Sequence, residues 1–561
     1  MDYSFFKKIV SKFSKNTIIK FVGEELYNAL IEWSSDEAYY TKTSLINILI
    51  STRNGFNLFS DNKFRVQFFR CLDIDILRDL LDSNGDYEEL ADKACKIPFK
   101  KNDFYKKLFD KYFNSPDFPW DDTLDESKQE MVSCSSKRFF ELLNYQYAIK
   151  EQAMYELNKK LNYGRKILIH MPTGTGKTKT AMHVITNYLN SKHEDGFKDF
   201  IVVWIAHTNE LLKQAFYTFK DVWGHLGSFE ICVEKSWCNG DYHMNSGILF
   251  ISIESLMALK KSKKNTYNWI LNHTSLTIYD ECHKIGASKT SEIIKDFTNQ
   301  SIKRDFIGLT ATPGRTTDFS FENQKFSEFF DRLIDIDIPL VNKISMEPLE
   351  AANTPNPRSK IKYFQDIGVL SRLRKEELSY EIDEEIRNEI ERQLKNNSDN
   401  FDENLITKIS MLKARNIVIL NKLKELDANK IPTIVFACSV THAKLISAFL
   451  NLDNIPNSLV YGDLAPKIRD KAISDFKDRS NPTNIIINYD ILTTGFDSTN
   501  IKCVFITRPT KSVILYSQMI GRGLRGKRMG GNEECLLVDI KENLKAYDEN
   551  KAFEHFNEYW R

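Results

Sequence analysis

The segment Met171-Pro-Thr-Gly-Thr-Gly-Lys-Thr178 has the residue types and spacing of a loop that holds phosphate groups. It follows the apolar run Ile167–His170 and precedes a helical pattern from Lys179 to Leu189. Strand, glycine loop and helix form the context that such a loop requires. Methionine stands where the usual pattern begins with glycine. The alternative for this segment taken alone is an ordinary glycine turn.

The chemistry of the loop would depend on its glycines, lysine and threonine. Gly174 and Gly176 allow backbone N–H groups to crowd around phosphate oxygens, and the N-terminus of the following helix adds its dipole. Lys177 can reach the β- and γ-phosphates of a nucleotide, and the Thr178 hydroxyl can bind Mg²⁺.

A second acidic motif, Asp280-Glu-Cys-His283, follows the apolar run Leu276–Tyr279. Ligands bind at the carboxyl ends of parallel strands, and a carboxylate that emerges there can hold Mg²⁺ through water. The adjacent glutamate is placed to accept a proton from an attacking water. A surface Asp-Glu pair at a strand end is the alternative, and the loop a hundred residues earlier argues against it.

The elements that position these residues follow from the apolar pattern of the 561-residue chain. Residues 1–135 have mostly helical spacing, with helices expected over Leu45–Ile50, Phe64–Leu81 and Asn102–Phe113 and a turn-rich break at 115–123. Short apolar runs alternate with helical patterns over 136–345 and again over 431–561, as in parallel α/β sheets. Residues 346–430 are predicted to be a linker with helices over Glu376–Leu394 and Ile406–Leu426 and a loop at 396–400 between them.

Composition limits the classes of function. The formal net charge is +1, so any nucleic-acid surface must be local. Nine cysteines without a C-x-x-C pair indicate free thiols and no zinc site. No apolar run approaches membrane-spanning length, so we expect no membrane contact and a cytoplasmic protein.

Four motifs in this order resemble those of superfamily 2 helicases and translocases, with a DECH box, and in particular the motor subunits of restriction enzymes. They are the loop at 171–178, the Asp-Glu-Cys-His box, Gly308-Leu-Thr-Ala-Thr-Pro313 and Gln518-Met-Ile-Gly-Arg-Gly-Leu-Arg525. The resemblance covers about residues 140–540 and leaves the first 130 unmatched. It implies two tandem RecA-like domains with ATP and Mg²⁺ as cofactors, and the apolar spacing predicts a mainly helical domain before them.

The resemblance also implies roles for individual residues around the nucleotide. Lys177, Asp280 and Glu281 would be catalytic, with Thr178 and Asp280 holding Mg²⁺. The residues that would contact ATP from the first lobe are Gln146, Thr173, Gly174, Thr175, Gly176, Lys177 and Thr178. Gln146 also fits a plain helix start. His283, Thr310 and Thr312 would couple hydrolysis to movement between the lobes.

The second lobe would complete the site from across a cleft. Gly495 and Asp497 are expected to contact nucleotide, and Gln518, Arg522 and Arg525 to lie on a helix that faces the first lobe. Positive charge supplied there would stabilise a transferring phosphoryl group. A basic helix face is the alternative reading.

The resemblance implies nucleic-acid contacts at Thr208, Ser252, Ser439 and Thr494, where hydroxyls and helix N-termini would hold backbone phosphates. Each one singly also fits a helix cap. The expected function is an ATP-dependent helicase or translocase on DNA, the motor of a restriction or phage-defence system. Its partner would be a nuclease or effector bound through residues 1–135. An RNA-dependent ATPase and a nucleotide-gated interaction module with little unwinding are the alternatives.

Overall fold

The computed structural model describes most of the chain. The described residues are 3–34, 36–55, 57–100, 102–114, 127–134, 141–159, 163–197, 200–242, 244, 246–286, 288–299, 304–314, 321–338, 341, 360–394, 401–493, 496 and 498–540. The predicted break at 115–123 and the predicted loop at 396–400 lie outside these residues.

The N-terminal region is helical, as predicted. Its α-helices are Ser4–Val10, Lys15–Val22, Glu24–Trp33, Lys42–Arg53, Asn62–Phe69, Ile74–Leu81, Tyr87–Lys96 and Asp103–Lys107, and the last continues as a π-helical turn, Leu108–Tyr112. The single helix predicted over 64–81 is wrong, because the chain breaks after Phe69 and a new helix starts after Asp73. Phenylalanines fill the centre of this region, with Phe59, Phe64 and Phe68 fully buried.

The first sheet has eight strands in the order β1-β4-β5-β3-β6-β7-β2-β8. All neighbours are parallel except the edge pair β1 and β4. The strands are β1 Gln129–Val132, β2 Lys166–His170, β3 Ile201–Ala206, β4 Ile231–Lys235, β5 Gly247–Ser252, β6 Thr274–Asp280, β7 Asp305–Thr310 and β8 Arg332–Ile334. The helices of this lobe are Asn144–Leu157, Lys177–Glu194, Asn209–Leu226, Ile253–Ser262, Lys264–His273, Ser288–Phe297 and Phe321–Phe329.

The second sheet is entirely parallel, with six strands in the order β11-β12-β10-β13-β14-β9. Its strands are β9 Arg372–Leu378, β10 Thr433–Phe436, β11 Asn457–Val460, β12 Ile485–Asn488, β13 Cys503–Ile506 and β14 Glu534–Ile540. The helices that accompany it are Lys360–Asp366, Glu384–Leu394, Glu403–Ser410, Lys413–Ala428, Val440–Leu452, Pro466–Lys477 and Val513–Ile520. The predicted fold class is therefore confirmed: two parallel α/β lobes follow a helical N-terminal region.

Two helix predictions between the lobes are wrong in part. The helix expected over 376–394 begins only at Glu384, because residues 376–378 belong to β9, an edge strand paired with β14. The helix expected over 406–426 is two helices, which separate at Met411 and Leu412. The segment between the lobes thus adds a strand to the second sheet.

The N-terminal helices pack on the second lobe, although they precede the first lobe in sequence. Their apolar residues form one buried cluster with the helix Val440–Leu452 and the strands β10 to β14. Trp33 stacks on Phe449 with ring centroids 5.6 Å apart and an interplanar angle of 18°. The Tyr461 hydroxyl donates to the Thr52 carbonyl at 3.1 Å. Helical region and second lobe therefore share one core.

This shared core predicts that Trp33→Ala destabilises the protein by about 2 kcal/mol, because the stacked contact with Phe449 and the apolar burial around it are lost together. Urea unfolding checks the change. Tyr155→Ala is the matched control, since Tyr155 is 67% exposed and its removal should change stability by less than about 0.5 kcal/mol. If the two substitutions lowered the free energy of unfolding equally, the contact between Trp33 and Phe449 would not be a specific source of stability.

Among the described residues, no helix combines the length and the apolarity needed to cross a bilayer.

Candidate functional site

The glycine loop lies between β2 and the helix Lys177–Glu194, as the sequence predicts. Gly174 and Gly176 have φ values of 87° and 84°, a backbone region that favours glycine. The N–H of Met171, the position where glycine is usual, donates to the Thr310 carbonyl at 3.1 Å, and its side chain is buried. The backbone at this position therefore anchors the start of the loop to β7, and the methionine side chain packs in the apolar core.

Two neighbouring side chains hold the loop from the helix Asn144–Leu157. The Tyr145 hydroxyl and the Gln146 Nε2 both donate to the Thr175 carbonyl, at 2.7 and 2.9 Å. The Oε1 of Gln146 accepts from the Leu143 N–H at 2.9 Å. The Thr175 hydroxyl is buried and donates to the Pro172 carbonyl at 2.7 Å. Gln146 thus touches the loop, and its predicted role toward adenine stays a prediction.

We predict that Gly176→Ala lowers nucleotide affinity at least tenfold. A Cβ there would lie 2.3 Å from the Gln146 Nε2, so the buried amide would have to leave its two partners. Gly196→Ala is the matched control, because Gly196 also has a positive φ, 76°, but no atom lies within 4 Å of its Cβ position. Titration with a fluorescent ATP analogue measures both. An equal loss of affinity in the control would show that backbone strain alone is responsible.

The Asp-Glu pair meets the loop lysine at the carboxyl end of β6. The Lys177 ammonium lies 2.8 Å from the Glu281 Oε1 and 3.4 Å from the Asp280 Oδ1. The Asp280 carboxylate also accepts the Glu281 N–H at 3.0 Å. Glu281 has a φ of 54°, which is uncommon for a residue with a side chain and typical of functional sites. Residues about a hundred positions apart thus form one charged cluster.

Burial and charge act against each other on these groups. Burial would lower the pKa of Lys177, but the carboxylates of Glu281 and Asp280 outweigh it and raise that pKa. Burial would raise the pKa of Glu281, and the Lys177 ammonium outweighs it and lowers that pKa. Burial raises the pKa of Asp280. The lysine is therefore charged at neutral pH, and the glutamate next to it is ionised and able to accept a proton.

The three residues predicted to couple hydrolysis to movement form a second polar cluster beside the first. The His283 Nδ1 lies 3.3 Å from the Glu281 Oε2 and 3.4 Å from the Thr310 Oγ1. The Thr310 hydroxyl donates to the Thr312 carbonyl at 2.6 Å. Burial lowers the pKa of His283 to about 4, so its ring is neutral at pH 7. His283 therefore joins the acidic pair to the segment after β7, and coupling stays a prediction.

The second lobe approaches the loop through the segment after the helix Val513–Ile520. A Cβ on Gly521 would lie 2.5 Å from the Thr173 Cγ2, and a Cβ on Gly174 would lie 3.8 Å from the Arg525 Cγ. The side chain of Arg525 thus lies against the glycine loop from the opposite lobe. This is the location that the predicted role requires.

The prediction that Arg522 and Arg525 lie on one helix is wrong. The helix ends at Ile520, and Arg525 pairs with Leu370 in an isolated antiparallel bridge. Glycines at 521 and 523 favour turns over a continuing helix. The Arg522 Nη1 donates to the Phe496 carbonyl at 2.6 Å, within its own lobe.

Of the remaining residues predicted to contribute to the nucleotide site from the second lobe, the structure describes only one. Gln518 lies in the helix and is buried, and its Nε2 has no hydrogen-bond partner within the described part of the chain. Thr494, Gly495 and Asp497 lie outside the described residues. Their expected roles remain predictions.

The three described candidates for nucleic-acid contact all cap helices. Thr208, Ser252 and Ser439 precede the helices Asn209–Leu226, Ile253–Ser262 and Val440–Leu452, and each hydroxyl accepts a backbone N–H, at 3.3, 3.0 and 3.0 Å. Thr208 and Ser252 follow or end the neighbouring strands β3 and β5. The capping role is therefore present. The N-termini that follow Thr208 and Ser252 lie at the carboxyl edge of the first sheet, and the one that follows Ser439 lies on the second lobe, after β10.

The donor chemistry at the loop fits Mg²⁺. The candidate ligands are the hydroxyl of Thr178, on the second residue of the loop helix, and the carboxylate of Asp280 at the end of β6. Mg²⁺ prefers such hard oxygen donors and is usually completed by substrate phosphates and water. The described residues contain no group of three or more His, Cys, Asp or Glu side chains able to hold a metal by themselves.

Several residues that contact the glycine loop from other elements were not predicted from the sequence. Tyr145 holds the Thr175 carbonyl, Leu370 lies 3.5 Å from the Cβ position of Gly174, and Met529 lies 3.7 Å from that of Gly176. The position of Tyr145 beside Gln146 is a signal that could have found it. Leu370 and Met529 carry no such signal, because their contacts depend on how the lobes meet.

A glycine loop with its lysine on a strand-end Asp-Glu pair, closed by an arginine from a second parallel sheet, defines a nucleotide-binding protein with a phosphate loop and two lobes. Two family models match the chain in the same places. Residues 139–315 match the type III restriction enzyme res subunit, and residues 415–527 match the helicase conserved C-terminal domain. The chain belongs to superfamily 2 of the helicases and translocases.

Individual relatives are distant. The chain is 24% identical over 384 residues to the protein named "Putative ATP-dependent helicase IRC3" of Saccharomyces cerevisiae, a match that covers 67% of this chain and 48% of the relative. It is 24% identical over 406 residues to the type I restriction enzyme EcoAI endonuclease subunit of Escherichia coli, covering 70% and 45%. The chain thus spans about half the length of these relatives.

Among solved structures, the chain is similar to a fragment of an HsdR-type subunit of a type I restriction enzyme from Vibrio vulnificus YJ016. The two are 21% identical, the similarity covers 72% of this chain and 66% of the fragment, and the TM-score is 0.49.

Proposed function

We propose that this protein is an ATPase that moves along DNA and serves as the motor of a restriction-type defence assembly. The observation that carries the ATPase part is the Lys177 ammonium, which contacts Asp280 and Glu281 next to a glycine loop against which Arg525 of the second lobe lies. Phosphoryl transfer requires charged groups of these types, which supports the proposal.

In the proposed reaction, phosphate binding, proton transfer and charge stabilisation are carried out by different residues. The phosphates of ATP compete with Glu281 for the Lys177 ammonium, while backbone N–H groups of the loop hold the phosphate oxygens. Mg²⁺ held by Thr178 and Asp280 would neutralise charge on the phosphates. Glu281, then released from the lysine, accepts the proton of the attacking water. Arg525 stabilises the charge that spreads over the transferred phosphoryl group.

The proposed track for nucleic acid runs over the helix N-termini capped by Thr208, Ser252 and Ser439. N–H groups at helix starts hold backbone phosphates without reading sequence. A net charge of +1 over 561 residues fits such a narrow track better than a broad basic surface. Closure and opening of the cleft would then change the grip of the two lobes in alternation.

The choice of DNA is supported by the restriction enzymes among the matches. The model matched at 139–315 is that of a restriction enzyme subunit, and a type I restriction enzyme subunit matches over 70% of this chain. The N-terminal helices, which neither family model covers, are the proposed attachment for a nuclease or effector partner.

The test is ATP turnover by the full chain with single-stranded DNA, duplex DNA, forked DNA and RNA, each added at the same nucleotide concentration. The proposal expects stimulation by DNA of at least fivefold over the basal rate. Displacement of a triplex-forming strand from duplex DNA then tests movement along it. If RNA stimulated turnover and DNA did not, the nucleic-acid substrate would be RNA and the proposal of DNA would be wrong. Turnover without a response to any nucleic acid would reject the motor and favour a nucleotide-gated interaction module.

A further inference from the structure

Tyr279 and His207 form a buried polar contact that the proposed mechanism does not use. Tyr279 is fully buried in β6, and its hydroxyl lies 2.7 Å from the His207 Nε2 on the loop after β3. The two rings also approach, with centroids 5.6 Å apart. A hydroxyl and an imidazole thus link the ends of two neighbouring strands.

Each member of this pair is next to a residue with a proposed role. Tyr279 immediately precedes Asp280, and His207 immediately precedes Thr208, which caps the helix Asn209–Leu226. The hydrogen bond is therefore a direct connection from the loop that would hold a backbone phosphate to the acidic pair that would act on ATP.

The charge state of the pair is fixed. Burial lowers the pKa of His207 to about 4, with Lys284 acting in the same direction and Glu281 against it. Burial also raises the pKa of Tyr279. Both groups are neutral at pH 7, so the phenol can donate to the ring nitrogen without competition from ionisation. A neutral buried hydrogen bond has a defined geometry, and a shift of one partner displaces the other.

The surroundings hold the Tyr279 side of this contact more firmly than the His207 side. Tyr279 pairs in register with Gly308 of β7, and β6 also pairs with β3, so the tyrosine is held from both sides. His207, half-buried at the end of β3, is the member that a phosphate on the Thr208 N-terminus can move. Movement at His207 would therefore reach Asp280 through one side chain.

We propose that Tyr279 and His207 are positioning residues that report nucleic-acid binding at Thr208 to the Asp280–Glu281 pair. This inference rests on the proposed function, because it needs ATP turnover that nucleic acid stimulates. It extends that function by naming a side-chain contact through which the stimulation passes. Neither residue touches the phosphates or the proton in transfer.

The test compares Tyr279→Phe with the wild type in three measurements: basal turnover, turnover with saturating DNA, and DNA affinity by fluorescence anisotropy. We expect basal turnover and DNA affinity within twofold of wild type, and stimulation reduced at least fivefold. His207→Leu should behave in the same way, whereas His207→Gln, which can still hydrogen bond to the phenol, should recover part of the stimulation.

Tyr267→Phe is the matched control. Tyr267 is buried in the same lobe and its hydroxyl donates to Asp296 at 2.7 Å, so its loss removes a comparable bond without a link to the site. Wild-type stimulation in Tyr279→Phe overturns the inference and leaves the proposed function intact. An equal fall of basal and stimulated turnover in Tyr279→Phe also overturns it, since that outcome marks a structural role. A wild type that no nucleic acid stimulates overturns both.

Discussion

Replacing Lys177 by alanine is expected to weaken ATP binding more than 100-fold and to abolish turnover. The lysine provides charge-assisted contacts to phosphates, and losing about 3 kcal/mol of such contacts corresponds to more than 100-fold in affinity. The substitution removes the ammonium that contacts Asp280 and Glu281 while the helix and the loop that hold it remain, so the loss reports on that charge. Isothermal titration with ATP and a phosphate-release assay measure the two effects.

Stability has to be separated from binding in this variant, because alanine leaves two buried carboxylates without their cation, which is costly. Lys177→Arg keeps the positive charge between Asp280 and Glu281 and should fold normally, yet turn over poorly because a planar guanidinium is not a point charge. Lys260→Ala is the matched control, since Lys260 also bridges two carboxylates, at 2.6 and 2.7 Å. Wild-type turnover in folded Lys177→Ala would remove the basis of the ATPase proposal.

Glu281→Gln is expected to keep ATP binding within about threefold of wild type and to lower turnover at least 100-fold. Glutamine preserves the shape of the side chain but cannot accept a proton, and general-base catalysis contributes about 10²–10⁴ in rate. The neutral amide also releases Lys177 from an ion pair of 2.8 Å, which favours the phosphates in competition for the ammonium. Single-turnover kinetics with excess enzyme measure the chemical step separately from product release.

The control for this substitution is Glu156→Gln. Glu156 is likewise buried and paired with two cations, Lys159 and Arg165, but lies on the helix Asn144–Leu157, outside the cluster around Lys177. Its substitution should leave turnover within about twofold of wild type while costing some stability. If Glu156→Gln and Glu281→Gln lower turnover equally, burial of an ion pair would explain both, and Glu281 would lose its role as base.

Strands that are continuous apolar runs could be predicted from the sequence, and strands that contain charged residues could not. The central strands of both sheets are continuous apolar runs, and all of them were expected. Strand β9 has five charged residues in seven and lies at a sheet edge, so its sequence favours a helix. Strand β4 includes buried Glu234 and Lys235, and Lys235 finds its partner Glu130 on β1, 105 residues away. The apolar pattern of neighbouring residues cannot predict an ion pair between residues so far apart in the sequence.

The same distinction applies to the site. Lys177, Asp280 and Glu281 could be predicted to meet because loop and strand-end motifs fix their positions on a parallel sheet. The position of Arg525 beyond its helix could not, since it follows from the glycine turns after Ile520 and from the bridge to Leu370. The contact between Tyr279 and His207 joins residues 72 positions apart and matches no motif.

The packing of the N-terminal helices on the second lobe has a practical consequence for anyone who trims this chain. An expression fragment cut where the first family match begins, at residue 139, would lose the edge strand β1 but keep the rest of both sheets and the residues of the candidate site. It would also uncover Phe449 and Tyr461, which are 6% and 2% exposed in the intact chain. Such a fragment should aggregate during purification, since newly exposed apolar surface of this kind promotes association. If the fragment were inactive, aggregation would explain the loss, and the result would not show that the missing helices have a function in the reaction.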